Sequence, residues 1–318
     1  MSNIIQLICP ACRDGLTSRG NSLLCCRCRK EYPIKEGVIS FLEDSDAFYE
    51  GAYLATTNIT FPNDRTSLKA RLFFDVYRDP YFRALREVIQ PGQRILDLGC
   101  GGGIRYLAQK GDVTGVDLSF SSLRKVTNFY RMAIQANALR MPFPDNSFDV
   151  VTSAYNFEHF RPEDKDFLLG QLYLVLKPAG KLVFLFDCDS NNALFKYFKR
   201  NPRLYEQSII ENDQHIGLEL ASHNIERFRK AGFSVTKCTG LNKTVFQYLP
   251  VYGWLKIYGE GSPFISFVVK VASLVSKFKQ TWVPYHASVS WLDDLIGKKL
   301  PMDDSRLLLV IAEKAQGV

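Results

Sequence analysis

The stretch RILDLGCGGGIRYLAQKGDVTGVDLS, residues 94–119, constrains the fold more than any other part of this chain. An apolar run from Arg94 to Gly99 reads as a buried strand and passes straight into a glycine-rich loop, Gly99-Cys100-Gly101-Gly102-Gly103. A helical pattern follows, then a second apolar run from Val113 to Leu118. Strand, loop, helix and strand in that order make a βαβ unit, the building block of parallel sheets with both faces covered. The alternation continues to the end of the chain. Further strands are expected at Ala133–Ala136, Phe148–Ala154, Lys181–Phe186, Phe233–Thr239 and Arg306–Glu313, with helices at Phe120–Tyr130, Pro162–Val175 and Ser222–Ala231. The expected fold class is α/β with a Rossmann-like sheet. With 46% hydrophobic residues, 318 residues can build a packed core, which excludes a globally disordered chain.

The loop also reads as a ligand site, because glycines let backbone approach a ligand at the carboxyl edge of such a sheet. Asp117, twenty residues beyond Asp97, is placed to accept hydrogen bonds from a ribose diol. A dinucleotide site is the competing reading. Two details oppose it. Asp97 lies two residues before the first glycine and turns an anion towards the loop, which suits an ammonium group rather than a pyrophosphate. The glycines run G-x-G-x-G and lack the GxGxxG step that packs a helix beneath a diphosphate. Both details fit S-adenosylmethionine, with its amino-acid head and ribose.

Four motifs occur in order: ILDLGCGGG, GVDLS, LRMPFPDNSFDVV and YLVLKPAGKLVF. Together they resemble the class I S-adenosylmethionine-dependent methyltransferases, specifically the broad type 11 group, over about Arg94 to Phe186. The resemblance implies a seven-stranded sheet whose seventh strand is antiparallel. It places Gly99, Gly101 and Gly103 along the methionine end of the cofactor, with Asp97 near its amino group. Asp117 would hold the ribose hydroxyls and Leu118 would cover the adenine. Where the group carries aspartate facing the adenine amino group, this chain has Asn137, whose side-chain oxygen still accepts; Ala138 would add a backbone contact. Ser153 would sit beside the sulfonium.

Methyl transfer from a sulfonium needs alignment of the nucleophile and, for a hydroxyl acceptor, removal of a proton. In the resembling group the loop SAYNFEHF faces the methyl. His159 is the best candidate general base and Glu158 the second, against the plain reading that His159 caps or packs the next helix. His215 matches the segment where group members carry a histidine before the last helix and is expected to touch substrate. No Asn-Pro-Pro-Tyr motif follows the fourth strand, which argues against an exocyclic amide or adenine nitrogen. No Pro-Cys pair is there either, which argues against cytosine C5 chemistry.

Five of the eight cysteines lie near the front of the chain. Cys9-x-x-Cys12 and Cys25-x-x-Cys28, twelve residues apart, have the spacing of two knuckles that offer four thiolates to a structural zinc ion. With four protein ligands no coordination position is left for catalysis. Cys26 is the spare. The segment that follows, EYPIKEGVISFL, resembles the zinc ribbon of ribosomal-RNA guanine methyltransferases and of the small activator subunit of tRNA and protein methyltransferases.

The domain organisation expected is a ribbon over 1–42, a linker with helices over 43–90, a methyltransferase core over 91–241, an insertion over 242–304 and a last core strand within 305–318. Pro80 should divide the helical stretch between Leu68 and Ile89. The insertion is rich in aromatics, and its clearest helix, Phe264 to Lys279, gathers Phe264, Phe267, Val268, Val271, Leu274, Val275 and Phe278 in one stripe. It reads as a lid packed on the domain, as a membrane-surface contact through 264–282, or, with its sparse lysines, as a nucleic-acid contact.

A net charge of +7 is compatible with an anionic partner without requiring one. No run of about eighteen apolar residues is present and Met1–Leu7 does not read as a signal peptide. A cytoplasmic protein, peripheral to the membrane if the insertion binds lipid, is therefore expected. Three functions compete. The first is methyl transfer to a small-molecule, lipid or glycan-linked acceptor, which the aromatic insertion favours. The second is ribosomal-RNA base methylation with the ribbon as RNA reader. The third is a catalytically inactive cofactor-binding interaction protein, disfavoured by the intact glycine loop and Asp117.

Overall fold

The computed structural model describes residues 6–42, Glu50, 79–211, 214–244, scattered positions between 263 and 293, and residues 295–315. The linker helix and the expected helix over 264–279 lie largely outside the described residues, as does the stretch from Leu68 to 78. In the front segment four short strands follow one another: β1 (Leu16–Arg19), β2 (Ser22–Cys25), β3 (Glu31–Lys35) and β4 (Val38–Ser40). After helix α1 (Asp79–Val88) come β5 (Arg94–Leu98), α2 (Arg105–Lys110), β6 (Asp112–Asp117), α3 (Phe120–Val126), β7 (Met132–Gln135) and β8 (Phe148–Ala154). Next are α4 (Pro162–Val175), β9 (Leu176–Asp187), α5 (Ala193–Lys199) and α6 (Pro202–Tyr205). Helix α7 (Ala221–Lys230) precedes β10 (Phe233–Leu241), and β11 (Leu307–Lys314) ends the fold.

All eleven strands join one sheet, in the order β1-β2-β3-β4-β7-β6-β5-β8-β9-β11-β10. The expectation of seven strands is therefore corrected. The seven from β5 to β11 are contiguous, with β11 antiparallel to both β9 and β10. The front segment adds four more by running β4 parallel to β7, Val38 opposite Ala133 and Ser40 opposite Gln135. It covers an edge that would otherwise present unpaired backbone groups.

Alternate side chains of each central strand enter two apolar layers. Leu96 and Leu98 of β5 face Leu168, Leu172 and Phe228 on α4 and α7, while Ile95 faces the layer of Tyr81, Leu85, Leu107 and Leu123 on α1, α2 and α3. Burying such side chains, each worth about 1.5–3 kcal/mol, dominates the stability of the sheet. The front segment shares the first layer through Leu7, Cys9, Cys25, Tyr32 and Phe41, so it is packed into the same core as β5 and β8.

Two local departures from expectation have physical causes. Helix α3 stops at Val126, four residues early, because Tyr130 must turn inward to reach the glycine loop. Strand β9 starts at Leu176, five residues early, with Lys177 to Gly180 bulging out of register against β8 and Ala179 at φ +58. Pro80 sits in the first turn of α1, where a missing N–H costs nothing, and so starts this helix; the stretch before it, which the proline was expected to separate, lies outside the described residues.

Candidate functional site

The carboxyl ends of β5, β6 and β8 meet at the glycine loop. Gly99 and Gly103 are required there twice over. Their φ angles are +65° and +74°, and a Cβ would fall 2.5 Å from Asn156 Cγ and 2.6 Å from Val126 Cγ1, respectively. A Cβ on Gly101 would meet nothing within 4 Å among the described residues, which leaves this glycine open on that side. Asp117 shapes the loop from the end of β6: Oδ2 accepts from Gly101 N and Oδ1 from Ser119 N, both at 2.8 Å. Its remaining lone pairs suit a diol.

Asp97 is buried, 3% exposed. Tyr130 Oη donates to its Oδ2 at 2.6 Å and Thr152 Oγ1 to its Oδ1 at 3.0 Å. Ile104 N in turn donates to Tyr130 Oη at 2.6 Å, so the tyrosine ties Asp97 to the start of α2. Burial pushes the Asp97 carboxyl up to about 6, partly offset by these two donors. Tyr130 and Thr152 were not expected at this site. Neither lies in a glycine or acidic motif, and only the fold brings them within reach of Asp97. Glu50 was also missed, since it lies in the polar stretch read as linker. Its carboxylate accepts from Ser121 Oγ at 2.6 Å and from the N–H groups of Phe120 and Ser121, capping α3 next to Asp117.

Just beyond Asp117, Leu118 is half-buried and its carbonyl accepts from Gln135 Nε2 at 2.9 Å. Asn137 is exposed and caps the short 3-10 turn Ala138–Arg140, its Oδ1 accepting from Leu139 N at 2.9 Å. The oxygen expected to face an adenine amino group therefore already serves the backbone, with one lone pair left. Ala138 is half-buried at the first position of that turn. Ser153 is 2% exposed, and its hydroxyl donates to the Leu98 carbonyl at 2.8 Å, locking β8 to β5.

After β8 the chain passes through Asn156, which packs on Gly99, into a 3-10 turn, Phe157–His159. Glu158 in this turn is fully buried, and neither carboxylate oxygen has a hydrogen-bond partner among the described residues. Burial, with Asp187 nearby, holds its carboxyl well above the ordinary carboxylate range. His159 is half-buried; its Nδ1 lies 3.1 Å from the Gln214 carbonyl, and burial lowers its imidazole. His215 is 7% exposed, with its ring centre 5.3 Å from that of His159. Residues 57 positions apart in sequence are thus brought together: Glu158, His159 and His215 each turn a ligand atom within 4.8 Å of the others.

Lys165 secures this meeting. It is completely buried on α4, and its Nζ donates to the Gly217 carbonyl at 2.5 Å, Asn224 Oδ1 at 3.1 Å and Glu219 Oε2 at 3.3 Å. Glu219 also holds Arg227 through two bonds of 2.9 and 2.7 Å. Gly217 N donates to the Glu158 carbonyl at 2.9 Å, fastening the segment that carries His215 to the turn that carries Glu158 and His159.

The four front cysteines also converge. Cys9 Sγ is 3.6 Å from Cys28 Sγ and Cys12 Sγ is 3.4 Å from Cys25 Sγ, with all four sulfurs within 4.8 Å of one another. A disulfide needs sulfurs about 2.05 Å apart, whereas four sulfurs each about 2.3 Å from a tetrahedral zinc stand roughly 3.8 Å apart. The donor set fits such an ion. Burial alone would raise the Cys25 thiol, yet the N–H groups of Cys28 and Arg27 and the neighbouring Cys12 bring it down to about 6. Cys9 Sγ lies 3.1 Å from Tyr32 Oη, which fixes the cluster to the core. Cys26 is exposed and outside the cluster.

Among the described residues no helix is long and apolar enough to cross a membrane. Phe267 and Leu274, from the stripe expected in the insertion, are 65% and 63% exposed.

Comparison with known proteins bears on the same segment. The chain is 38% identical over 125 residues to a ubiquinone/menaquinone biosynthesis C-methyltransferase of Psychromonas ingrahamii, covering 35% of this chain and 49% of that protein. It is 29% identical over 195 residues to a cycloartenol-C-24-methyltransferase of Arabidopsis thaliana, covering 55% of each. The chain thus spans about half the length of these curated relatives. Among solved structures, the [4+2]-cyclase SpnF aligns with a TM-score of 0.48 at 18% identity, over 75% of this chain and 81% of that one. The family described as methyltransferase domain matches residues 96–184, the part of the chain that carries the glycine loop, Asp97, Asp117 and the Glu158–His159 turn.

Proposed function

We propose that this protein is an S-adenosylmethionine-dependent methyltransferase acting on a small-molecule or lipid-linked acceptor. The observation that carries this reading is the glycine loop held between Asp97 and Asp117 inside the segment that matches a methyltransferase domain. Asp97 suits the amino group of the cofactor and Asp117 its ribose hydroxyls. Gly101 leaves the backbone bare, and Leu118, Asn137 and Ala138 line the adenine end. When bound, S-adenosylmethionine supplies an electrophilic methyl group on a sulfonium.

The chain's own task is alignment and proton handling. Asn156, packed on Gly99, sets the distance between the loop and the turn bearing Glu158 and His159. Burial of His159 keeps its imidazole neutral at physiological pH, the form that can take a proton from an acceptor. The names of the two relatives both specify C-methylation of small molecules, which supports a small-molecule acceptor.

The front cysteines are read as a structural zinc site that completes the sheet edge. Their presence favours a second reading, an RNA base as acceptor, with the front module as reader. Isothermal titration with S-adenosylhomocysteine and with NAD tests the cofactor. Tritiated methyl transfer from labelled cofactor into fractionated extract tests the acceptor. Label in lipid or small-molecule pools is expected; label in ribosomal RNA would replace the first reading by the second.

A further inference from the structure

Glu158 poses a physical problem. A fully buried carboxyl whose two oxygens find no donor among the described residues is costly, by several kcal/mol if charged. Lys165 acts on it only through space, since its Nζ gives its hydrogen bonds to Gly217, Asn224 and Glu219. Asp187, the neighbouring acid, is ion-paired with Arg306 at 3.2 Å. Two imidazoles share the space with Glu158.

We propose that Glu158, His159 and His215 bind a divalent transition-metal ion, in a site separate from the four cysteines. Two imidazoles and one carboxylate suit Zn2+, Mn2+ or Fe2+ and not the oxygen-only preference of Ca2+. The ligand atoms lie within 4.8 Å of one another. Bonds of about 2.1 Å need them about 3.0–3.4 Å apart, so the three side chains must draw together as the ion binds. The second shell is already in place. His159 Nδ1 lies 3.1 Å from the Gln214 carbonyl, the kind of second-shell contact that orients a ligating imidazole. Gly217 N on the Glu158 carbonyl, with Lys165 beneath, holds the two ligand-bearing segments together before any ion arrives.

Three protein ligands leave coordination positions for oxygen donors. The site adjoins Asn156 and through it the glycine loop, so the ion would hold and polarise an oxygen of the methyl acceptor, replacing the proton-accepting role of His159 rather than adding to it. That role rests on the methyltransferase reading; binding of the ion does not.

Cobalt titration of the metal-stripped full-length protein separates the two sites. Four thiolates give an intense charge-transfer band, and a histidine–carboxylate site adds only weak d–d absorption. Two equivalents of Co2+ are expected, one of each kind. In His215→Gln and in His159→Gln the second equivalent should weaken at least tenfold, with the charge-transfer equivalent retained as an internal check of folding. A single equivalent in the wild-type protein, or a second one unchanged in both variants, would overturn the proposal. Neither result depends on cofactor binding, which the S-adenosylhomocysteine titration reads separately.

Discussion

The carboxamide nitrogen of Gln135 donates to the Leu118 carbonyl at 2.9 Å. Its oxygen accepts from Ser40 Oγ at 2.8 Å, and Phe41 N donates to its main-chain carbonyl at 2.8 Å. One buried residue on β7 therefore links the cysteine-bearing segment to Leu118, the residue proposed to cover the adenine. Gln135→Leu keeps the volume and removes both bonds. A buried carbonyl left without a donor costs about 1–3 kcal/mol, so the melting temperature should fall. S-adenosylhomocysteine should also bind about threefold to tenfold more weakly, roughly 1 kcal/mol. An affinity equal to wild type in calorimetry would show that the link stops at Gln135.

Asp97 makes binding and stability respond to pH in opposite directions. Its carboxyl is raised to about 6 in the folded protein, from 3.8 when unperturbed. The folded state thus keeps a proton that the unfolded chain loses, and stability of the unliganded protein falls as pH rises from about 4 to 6. Two units correspond to about 3 kcal/mol. An ammonium ligand needs the ionised form, so affinity for the cofactor should rise over the same range, by up to about tenfold per unit below 6. Asp97→Asn should abolish both trends, weaken binding by about a hundredfold and leave the unliganded protein as stable at pH 7 or more so. Calorimetric titration and thermal unfolding at pH 5, 6 and 7 check both signs.

Much of this arrangement is legible in the sequence, and the part that is not has a physical reason. Strand and glycine signals place Asp97, Gly99 and Asp117 because local rules govern them: a buried run, a positive-φ turn, an acid at the strand end. The partners of Asp97 are invisible there, since Tyr130 and Thr152 reach it only through the parallel pairing of β5 with β6 and β8. The four cysteines announce their own cluster by spacing. Nothing in that spacing tells that β4 joins β7, because a three-residue strand carries too little pattern to name its neighbour. His159 and His215 were each singled out on their own; their meeting depends on Lys165, a residue that reads as an ordinary helix-surface lysine.

Loss of the zinc proposed for the cysteine cluster should act on the sheet edge. Cys9 and Cys25 are fully buried and share the core layer of Phe143 and Phe148, so Cys9→Ser with Cys28→Ser removes thiolates and core contacts together. Hydrogen exchange should accelerate in β4 and in β7, whose backbone pairs through Ala133, Ile134 and Gln135. Protection in β9 and β11, on the far side of the sheet, should change little. Equal loss throughout would mean that the front segment is needed for the whole fold.

Lys165→Met tests the buried network under α4. Three acceptors, the Gly217 carbonyl, Asn224 Oδ1 and Glu219 Oε2, lose their donor. Removing one partner from a buried charge network costs about 3–5 kcal/mol. Glu219 keeps its two bonds to Arg227, so the lower end is expected, read as a shift in the urea midpoint with an unchanged slope.

Gly217→Ala separates positioning of the two histidine segments from cofactor binding. A Cβ at this position would collide with the Phe160 carbonyl, backbone against backbone, with no flexible side chain to move aside. The Gly217 N to Glu158 O bond of 2.9 Å would have to lengthen, and His215 would move away from His159. The glycine loop, Asp97 and Asp117 are held by other contacts, so affinity for S-adenosylhomocysteine should stay within about twofold of wild type, less than 0.5 kcal/mol. Methyl transfer should slow by at least tenfold, about 1.4 kcal/mol of barrier. A parallel loss of affinity and rate would mean that the segment around Gly217 supports the whole groove. A rate equal to wild type would remove His215 from the acceptor side.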